Sequence, residues 1–290
     1  MADIVWLTTR WNVYLPLETV TRFAPSPTGD LHLGHAYSAL VAASLGNGFT
    51  LRIDDIDHTR CRPQFVDGIY DDLQWLGLQW QGNPVFQSHR LEAYATALED
   101  LRRRDLIYPC YLSRAELADV LSAPHTAPTA TDTVLPASEQ TRRAEEGREP
   151  AWRLRTADAL RITGPLTWRD LRNGMDVPVD MKAHGDVVIA RRDIGTSYHL
   201  SVVIDDQLDR ITLVTRGADL SESTHVHRVL QALLDIQPPD YLHHDLVTDE
   251  AGTRLAKRDA ARSLRQMRED GICATDIVGN MPKIPSVIEP

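Results

Sequence analysis

The hydrophobic and polar positions near the start of the chain alternate between the period of a strand and that of a helix. Residues 18–24 predict a strand, residues 25–30 (PSPTGD) predict a turn, and from Leu33 the apolar positions recur at helical spacing. A second strand is predicted over residues 49–53. This succession is a βαβ unit, which implies parallel strands with a ligand site at their carboxyl ends. The pattern therefore predicts the α/β class.

The pattern that follows predicts further packing helices and then an irregular stretch. One helical face contains Ile69, and another helix begins after Ser88, which is its predicted N-cap. From Tyr108 to about Gly185 the regular period is lost, and residues 123–137 are rich in proline, threonine and alanine. We interpret this stretch as an insertion that contains an exposed loop.

Inside the insertion, Ser113 and Glu116 have the spacing of a capping box at the start of a short helix. The α/β pattern then returns, with a strand predicted over residues 211–215 and a last clear helix over residues 226–234. We therefore expect four segments. They are the first half of a parallel-sheet domain at 19–110, the insertion at 111–185, the second half of the domain at 186–240, and a C-terminal region at 241–290.

Composition excludes several classes of protein. The 290 residues are 42% hydrophobic and 25% charged, which excludes a disordered or collagen-like chain. The net charge of -10 argues against a general nucleic-acid coat but allows a local basic surface. Three cysteines are too few for a disulfide framework, and no apolar run resembles a membrane span or a secretory signal. We expect a cytoplasmic protein with no membrane partner.

Two histidines lie one turn apart at the predicted start of the first helix. His32 and His35 flank Gly34, and the unpaired N–H groups of a helix N-terminus attract phosphate. Both imidazoles can donate to the same polyphosphate there, and Gly34 lets a flat base approach the backbone. The spacing alone does not exclude a metal pair, or the more common case of incidental histidines at a helix start.

The fourteen residues 22–35, RFAPSPTGDLHLGH, closely resemble the first signature of class I aminoacyl-tRNA synthetases in its glutamyl form. The second signature of that family is a lysine-rich loop, and residues 254–258, RLAKR, are similar to it. Arg254 and Ala256 stand where the family has lysine and serine. The resemblance implies a Rossmann-type catalytic domain with a parallel sheet, an acceptor-binding-like α/β insertion, and a short C-terminal signature-loop region.

The resemblance also implies which residues handle ATP. It implies that His32, Gly34, His35 and Lys257 bind ATP, and that Lys257, His32 and His35 take part in catalysis. A mobile cation such as Lys257 can follow the charge that develops as pyrophosphate leaves, so it stabilises the transition state more than the ground state. ATP with Mg²⁺ is therefore expected.

The residues expected to bind L-glutamate follow from the resemblance as well. Asp54 stands where the family has a glutamate that accepts hydrogen bonds from the substrate's α-ammonium group. Tyr198 and Arg216 are expected to contact the substrate, since an acidic side chain needs guanidinium partners. From the residue types alone, Asp54 also fits a cation site, Tyr198 a packed tyrosine and Arg216 a surface salt bridge. The first signature adds five expected contacts: Arg22, Phe23, Ala24, Pro25 and Ser26.

Some short members of the family hold zinc in the insertion with a Cys-x-Cys pair, a tyrosine and a further cysteine. Here Cys110 matches the first ligand, Leu112 stands at the second, and no cysteine follows until Cys273. One thiolate cannot supply the three or four protein ligands that zinc needs. We expect no structural zinc and interpret Cys110 as a structural residue.

The extent of the resemblance indicates a subfamily. It covers residues 22–258, and the short stretch after Arg258 leaves no room for a helical domain that reads the anticodon. The chain thus resembles the branch that esterifies glutamate to queuosine at the wobble position of tRNA(Asp). This resemblance implies that tRNA(Asp) is a partner of the protein and that the protein is a monomer. One alternative is a truncated glutamyl-tRNA synthetase that charges the 3′ end of tRNA(Glu). Another is a non-catalytic binding protein with the same fold.

Overall fold

The computed structural model describes residues 19–113, 115–117, 134–248 and 262–287. The helices in these ranges are α1 (Leu33–Leu45), α2 (Pro63–Trp75), α3 (Leu91–Arg103), α4 (Ala137–Glu145), α5 (Thr156–Thr163), α6 (Tyr198–Leu208), α7 (Ser221–Leu233), α8 (Leu264–Glu269) and α9 (Ala274–Asn280). The strands are β1 (Thr21–Phe23), β2 (Phe49–Ile53), β3 (Trp80–Phe86), β4 (Ile107–Cys110), β5 (Ala151–Leu154), β6 (Thr167–Asp170), β7 (Met175–Pro178), β8 (Val188–Ala190), β9 (Leu213–Gly217) and β10 (Asp240–His244).

The predicted βαβ unit is present. β1 and β2 pair in parallel, with Thr21 opposite Phe49, and β3 adds a third parallel strand beside β2. α1 buries residues such as Ala39 and Leu40 in the core with this sheet, because apolar residues occupy most positions around the helix. The α/β class and the parallel sheet predicted from the sequence are confirmed, although β1 is shorter than the predicted strand.

A second sheet has the strand order β7, β6, β10, β9. β10 lies in its interior and is parallel to both β9 and β6, with His243 opposite Arg216. The backbone oxygen of Val20, just before β1, accepts hydrogen bonds from the backbone N–H groups of Thr212 and Leu213, which brings β9 beside β1. Carboxyl ends of strands from the two sheets therefore meet at one crevice, the usual ligand site of such folds.

A third sheet is antiparallel and has the order β4, β5, β8. Its strands lie before, within and after the predicted insertion, in that order. β6 and β7, from within the insertion, join the sheet of β9 and β10 instead. The four-segment division at residues 111, 186 and 241 thus stays a prediction from sequence. The expected capping box is present: the Ser113 hydroxyl accepts from the Glu116 N–H, and the Glu116 carboxylate accepts from the Ser113 N–H.

The predicted N-cap at Ser88 is wrong. Ser88 lies in a short 3-10 turn that precedes α3, and the N-cap of α3 is Arg90. Both the backbone N–H and the hydroxyl of Ser88 donate to the Asp55 carboxylate, so a partner distant in sequence takes the hydroxyl away from the helix start. The predicted strand at 211–215 begins two residues later, at Leu213, and the sequence pattern missed β3 and β10. No helix within the described ranges is long and apolar enough to cross a membrane.

Candidate active site

A cavity of about 670 Å³ opens where β1, β2, β9 and β10 end. It is large enough for small-molecule substrates. Every candidate substrate residue that the structure describes contributes to its lining: Arg22, Phe23, Ala24, Pro25, Ser26, His32, Gly34, His35, Asp54, Tyr198 and Arg216. Lys257, with the rest of residues 254–258, lies outside the described residues.

His32 and His35 together form the N-terminal cap of α1. The Nδ1 atom of His32 accepts from the backbone N–H of Gly34 at 3.1 Å, and the Nδ1 atom of His35 accepts from the backbone N–H of His32 at 3.2 Å. Since each Nδ1 accepts a hydrogen bond, the proton of each neutral ring is on Nε2. The cap therefore fixes the tautomer of two imidazoles that line the cavity.

His35 is uncharged near neutral pH. Burial, with a smaller contribution from His32, lowers the pKa of His35 to about 3. The two rings lie close together, with centroids 3.9 Å apart. Gly34 favours this arrangement, because a Cβ atom there would lie 3.0 Å from Cε1 of His32 and the ring would have to shift by a few tenths of an ångström. The glycine thus accommodates the histidine ring that caps the helix.

Residues on both sides of the second signature lie next to this helix start. Val247 lines the cavity, and Ser263 forms an isolated β-bridge with His32. The backbone N–H of Leu264 donates to the backbone oxygen of Leu31, and Leu264 itself is fully buried. The chain after residue 261 is therefore held at the first signature, and the chain before residue 249 borders the same cavity.

Asp54 lies at the end of β2 and is held by Arg52. Nε of Arg52 donates to one Asp54 oxygen at 2.7 Å and Nη2 donates to the other at 3.4 Å. Burial raises the pKa of Asp54 to about 6, while the ion pair with Arg52 opposes the rise. The two neighbouring carboxylates have other partners, because Asp55 accepts from Ser88 and Asp57 pairs with Arg191. Asp54 thus combines burial with a raised pKa, whereas hydrogen bonding to Thr59 lowers the pKa of Asp57.

A chain of alternating charges connects Asp54 to Arg22. Arg52 also donates to Asp206 through Nη1 at 2.7 Å, and Nε of Arg22 donates to the same Asp206 oxygen at 3.1 Å. Burial alone would raise the pKa of Asp206, but the guanidinium groups of Arg22 and Arg52 outweigh it and lower that pKa. Asp205 adds a further carboxylate 3.7 Å from Arg52. These four charges lie in the order Arg22, Asp206, Arg52, Asp54.

The sequence pattern alone did not indicate Arg52 or the pair Asp205–Asp206 as site residues. Each charge falls within a stretch whose other residues are largely apolar: FTLRI for β2 and VVIDD in α6. Charged residues are rarely buried without a partner, so a charge inside an apolar run is a signal that a buried ion pair exists. The pattern could have indicated these residues, but not which of them pair.

Arg216 lies at the end of β9 and is 6% exposed. Its Nη1 atom donates to the hydroxyl of Tyr198 at 3.2 Å and to Nδ1 of His227 at 3.3 Å. Nη2 donates to the hydroxyl of Thr224 at 2.7 Å, and Nε donates to Nε2 of His243 at 3.3 Å. The structure thus joins Tyr198 and Arg216 by a hydrogen bond and adds three polar neighbours, Thr224, His227 and His243, that the sequence did not indicate.

The histidines around Arg216 are uncharged. Burial and, after it, the charge of Arg216 lower the pKa of His243 to about 3 and that of His199 to about 4. The same causes hold the pKa of His227 well below its usual value. A cation next to an imidazole disfavours a second positive charge there, so the histidines serve as acceptors.

Cys110 packs in a small apolar cluster with Tyr108 and Leu112. Beside this cluster, Arg143 forms ion pairs with Glu116 at 2.6 Å and Glu139 at 2.7 Å. Across the described part of the chain, no group of three or more histidine, cysteine, aspartate and glutamate side chains is arranged to hold a metal ion. The absence of zinc stays a prediction from sequence.

Comparison with known proteins assigns the chain to a family. Residues 18–280 match the family described as tRNA synthetases class I (E and Q), catalytic domain. A glutamyl-Q tRNA(Asp) synthetase from Rhodobacter capsulatus is 46% identical over 276 residues, which cover 89% of this chain and 98% of that protein. Another, from Nitratidesulfovibrio vulgaris, is 38% identical over 284 residues, which cover 92% of this chain and 86% of that protein.

A solved structure shows the same architecture. A glutamate tRNA ligase from Elizabethkingia meningosepticum, determined in complex with its amino acid, is 26% identical and superposes with a TM-score of 0.68. The match covers 88% of this chain and 53% of that one, so the chain spans about half of the ligase. These similarities confirm the synthetase assignment made from the two signatures. The chain belongs to the class I tRNA synthetases (E and Q), a family of ligases, and aligns over nearly the full length of a glutamyl-Q tRNA(Asp) synthetase.

Proposed function

We propose that this protein activates L-glutamate with ATP and then transfers the glutamyl group to queuosine at the wobble position of tRNA(Asp). The observation that carries the proposal is that one cavity is lined by the capped helix start and by the charged residues expected to bind glutamate. The names of relatives that align over most of the chain support queuosine as the acceptor.

ATP would bind with its phosphates at the N-terminus of α1. There the helix dipole and the Nε2–H groups of His32 and His35 favour negative charge, and neutral rings donate without taking up a proton from solution. An oxygen of the glutamate α-carboxylate attacks the α-phosphorus, a mixed anhydride forms, and the bond to pyrophosphate breaks. Lys257 is proposed to stabilise the charge that develops on the leaving pyrophosphate.

The side-chain carboxylate of glutamate would bind at Arg216 and Tyr198. Both N–H groups on Nη1 of Arg216 donate within the protein, while Nη2 donates to Thr224 and has a second N–H for the substrate. The Tyr198 hydroxyl accepts from Arg216, so its own hydrogen can be donated. The remaining Nη2–H group of Arg216 and the hydroxyl of Tyr198 can therefore donate to the two oxygens of one carboxylate.

The other end of glutamate would lie toward Asp54 and Arg22. Asp54 is ionised above about pH 6, so its carboxylate can accept from the α-ammonium group at neutral pH. Arg52 keeps Asp54 in place through two hydrogen bonds. Residues 23–26 form the cavity wall between these charged groups and the helix start.

The chemistry of synthetases of this class involves Mg²⁺ bound to ATP. Mg²⁺ usually keeps several waters and is held by substrate phosphates with one or two carboxylates. In the described residues no dedicated cluster of metal ligands exists, which fits an ion that arrives with the nucleotide. The residues of the chain would orient the phosphates and the carboxylate that attacks.

The acceptor can be identified by a transfer assay. Radiolabelled glutamate is supplied with ATP to tRNA(Asp) and tRNA(Glu), each with and without queuosine. We expect label only on tRNA(Asp) that carries queuosine, because a hydroxyl of that base attacks the adenylate and releases AMP. Label on tRNA(Glu), or equal label on tRNA(Asp) without queuosine, would favour a truncated glutamyl-tRNA synthetase. If the protein catalyses no ATP–pyrophosphate exchange with glutamate, the alternative of a non-catalytic binding protein is favoured.

Replacing Lys257 with alanine is expected to lower the rate of glutamate-dependent ATP–pyrophosphate exchange at least about tenfold, because one preorganised cation contributes about 1.4 kcal/mol or more to a transition state. The control is Lys283→Ala, since Lys283 is exposed and its backbone oxygen, which the substitution keeps, is what accepts from the Tyr37 hydroxyl. Equal exchange rates in both variants would remove Lys257 from the mechanism.

Replacing Asp54 with asparagine is expected to raise the KM for glutamate about tenfold or more and to change the KM for ATP little, because it removes the charge that meets the α-ammonium group. In the unchanged protein, kcat/KM for glutamate should fall below about pH 6 as Asp54 takes up a proton, and this fall should be absent in the variant. Asp55→Asn is the matched control, because Asp55 binds Ser88 instead of lining the cavity. Equal changes in both KM values would assign Asp54 a structural role.

A further inference from the structure

Gln87 follows the last residue of β3 and lines the substrate cavity, although only 1% of it is exposed. Nε2 of its side-chain amide donates to one oxygen of Asp205 at 2.7 Å. An ionised carboxylate can only accept hydrogen bonds, so the amide nitrogen must face Asp205 and the amide oxygen must face away from it. The orientation of this amide is therefore determined by its neighbour.

The amide oxygen of Gln87 is buried and has no hydrogen-bond partner among the residues that the structure describes. A buried acceptor without a partner is uncommon in folded proteins, because it loses its hydrogen bonds with water and gains none in return. Rotation of the amide would not help, since it would turn the oxygen against the Asp205 carboxylate. The wall of the cavity thus contains an acceptor that the protein itself does not satisfy.

Strand pairing places Gln87 beside Asp54. β2 and β3 are parallel and their last residues lie opposite each other, so Asp54 and Gln87 follow at the same edge of the sheet. One residue further along, the Asp55 carboxylate accepts from the backbone N–H and the hydroxyl of Ser88, which keeps the two chain segments together beyond the sheet. Asp54 and Gln87 both line the cavity. The two residues are therefore neighbours in the cavity wall.

Arg52 and Asp205 fix the same two side chains. Nε of Arg52 donates to Asp54 at 2.7 Å, and it lies 3.7 Å from the Asp205 oxygen to which Gln87 donates. Asp205 is fully buried and also accepts from the Tyr94 hydroxyl at 2.7 Å. Because these partners are already in place in the free protein, the carboxylate of Asp54 and the amide of Gln87 need little reordering to bind a ligand.

We infer that the amide oxygen of Gln87 is a second acceptor for the α-ammonium group of glutamate, beside the carboxylate of Asp54. The inference rests on the proposed glutamate site and adds a binding residue to it. An ammonium group has three N–H donors, so it can donate to Gln87 as well as to Asp54. It is also the one donor that ionised glutamate carries, since both carboxylates of the substrate accept. A hydrogen bond from a charged donor is stronger than one between neutral groups.

The inference is tested with two ligands that differ in the amino group alone. One is the sulfamoyl analogue of glutamyl-adenylate, and the other is the same compound made from glutarate, which lacks the α-ammonium group. The nucleotide part is common to both, so calorimetry can compare their Kd values. Gln87→Met removes the amide oxygen at nearly constant length. We expect it to raise the Kd of the glutamyl ligand about tenfold or more and to leave that of the glutaryl ligand nearly unchanged.

Two further variants separate this effect from the lost contact with Asp205. Gln87→Lys can still donate to Asp205, but it replaces the acceptor with a positive charge that repels the α-ammonium group. We expect it to raise the Kd of the glutamyl ligand about 100-fold relative to that of the glutaryl ligand. Tyr94→Phe is the control, because it removes a different hydrogen bond to Asp205 and Tyr94 does not line the cavity. The ratio of the two Kd values should stay constant in this control.

Equal changes of both Kd values in the Gln87 variants would overturn the inference and leave the amide with a structural role only. If Gln87→Met has no cooperative thermal unfolding transition, Gln87→Lys decides, because it keeps a donor for Asp205. If the unchanged protein binds neither adenylate analogue and shows no glutamate-dependent exchange, the proposed function fails. Tight binding with the same Kd ratio in all variants contradicts this inference alone.

Discussion

Replacing Arg52 with methionine is expected to lower the free energy of unfolding by about 3–5 kcal/mol, because removal of one partner from a buried ion pair leaves the other charge uncompensated. Arg52 is 1% exposed and lies between three carboxylates, those of Asp54, Asp205 and Asp206. Methionine has a similar length, so the effect reports the charge and the hydrogen bonds more than a lost volume. Chemical denaturation measures it.

Two controls separate this effect from a general cost of losing an arginine. Arg52→Lys keeps the charge but cannot donate to Asp54 and Asp206 in the same geometry, so we expect an intermediate loss. Arg102→Met breaks an exposed ion pair with Glu99 and should change the unfolding midpoint little. A similar midpoint for Arg52→Met and Arg102→Met would contradict a buried charge chain.

Lowering the pH from 7 to 5 is expected to reduce the free energy of unfolding by about 3–4 kcal/mol. His35 and His243 have folded pKa values of about 3 and His199 of about 4, all below the unfolded value. Between its folded and its unfolded pKa, each histidine binds more protons in the unfolded chain than in the folded protein. At pH 5 each of the three histidines therefore lowers the free energy of unfolding by about 2 kcal/mol. Burial raises the pKa of Asp54 and Asp72 to about 6, and each of these carboxyls opposes the loss by about 1 kcal/mol.

The direction of the change identifies the groups. Stability that depends on a neutral buried histidine is present above the unfolded pKa and is lost as pH falls, whereas the raised carboxyls contribute the opposite slope. Replacing His243 with glutamine should therefore reduce the slope between pH 7 and 5, and replacing the exposed His58 should leave it unchanged. A free energy of unfolding that is constant or higher at pH 5 would show that these histidines are not buried as neutral groups.

The features that the sequence predicted well are those determined by neighbouring residues. The start of α1 and both bounds of β2 were predicted correctly because a turn, a helical period and a strand period follow one another without interruption. The capping box of Ser113 and Glu116 also depends on a spacing of three residues. The missed strand β10 has the sequence DYLHH, which looks polar, and it is buried because its histidines find partners in other elements.

By itself, the sequence determined the family, through two short signatures, and with it the start of the first helix beside His32 and His35. It named Arg22 and Arg216 as equivalent candidates. Only the tertiary structure decided that they differ, since Asp206 reaches Arg22 across 184 positions of the chain, while the register of β10 with β9 puts His243 opposite Arg216. The physical reason is that the charge balance of a buried group depends on which atoms lie within a few ångströms, and strand pairing and helix packing, not local spacing, bring those atoms together.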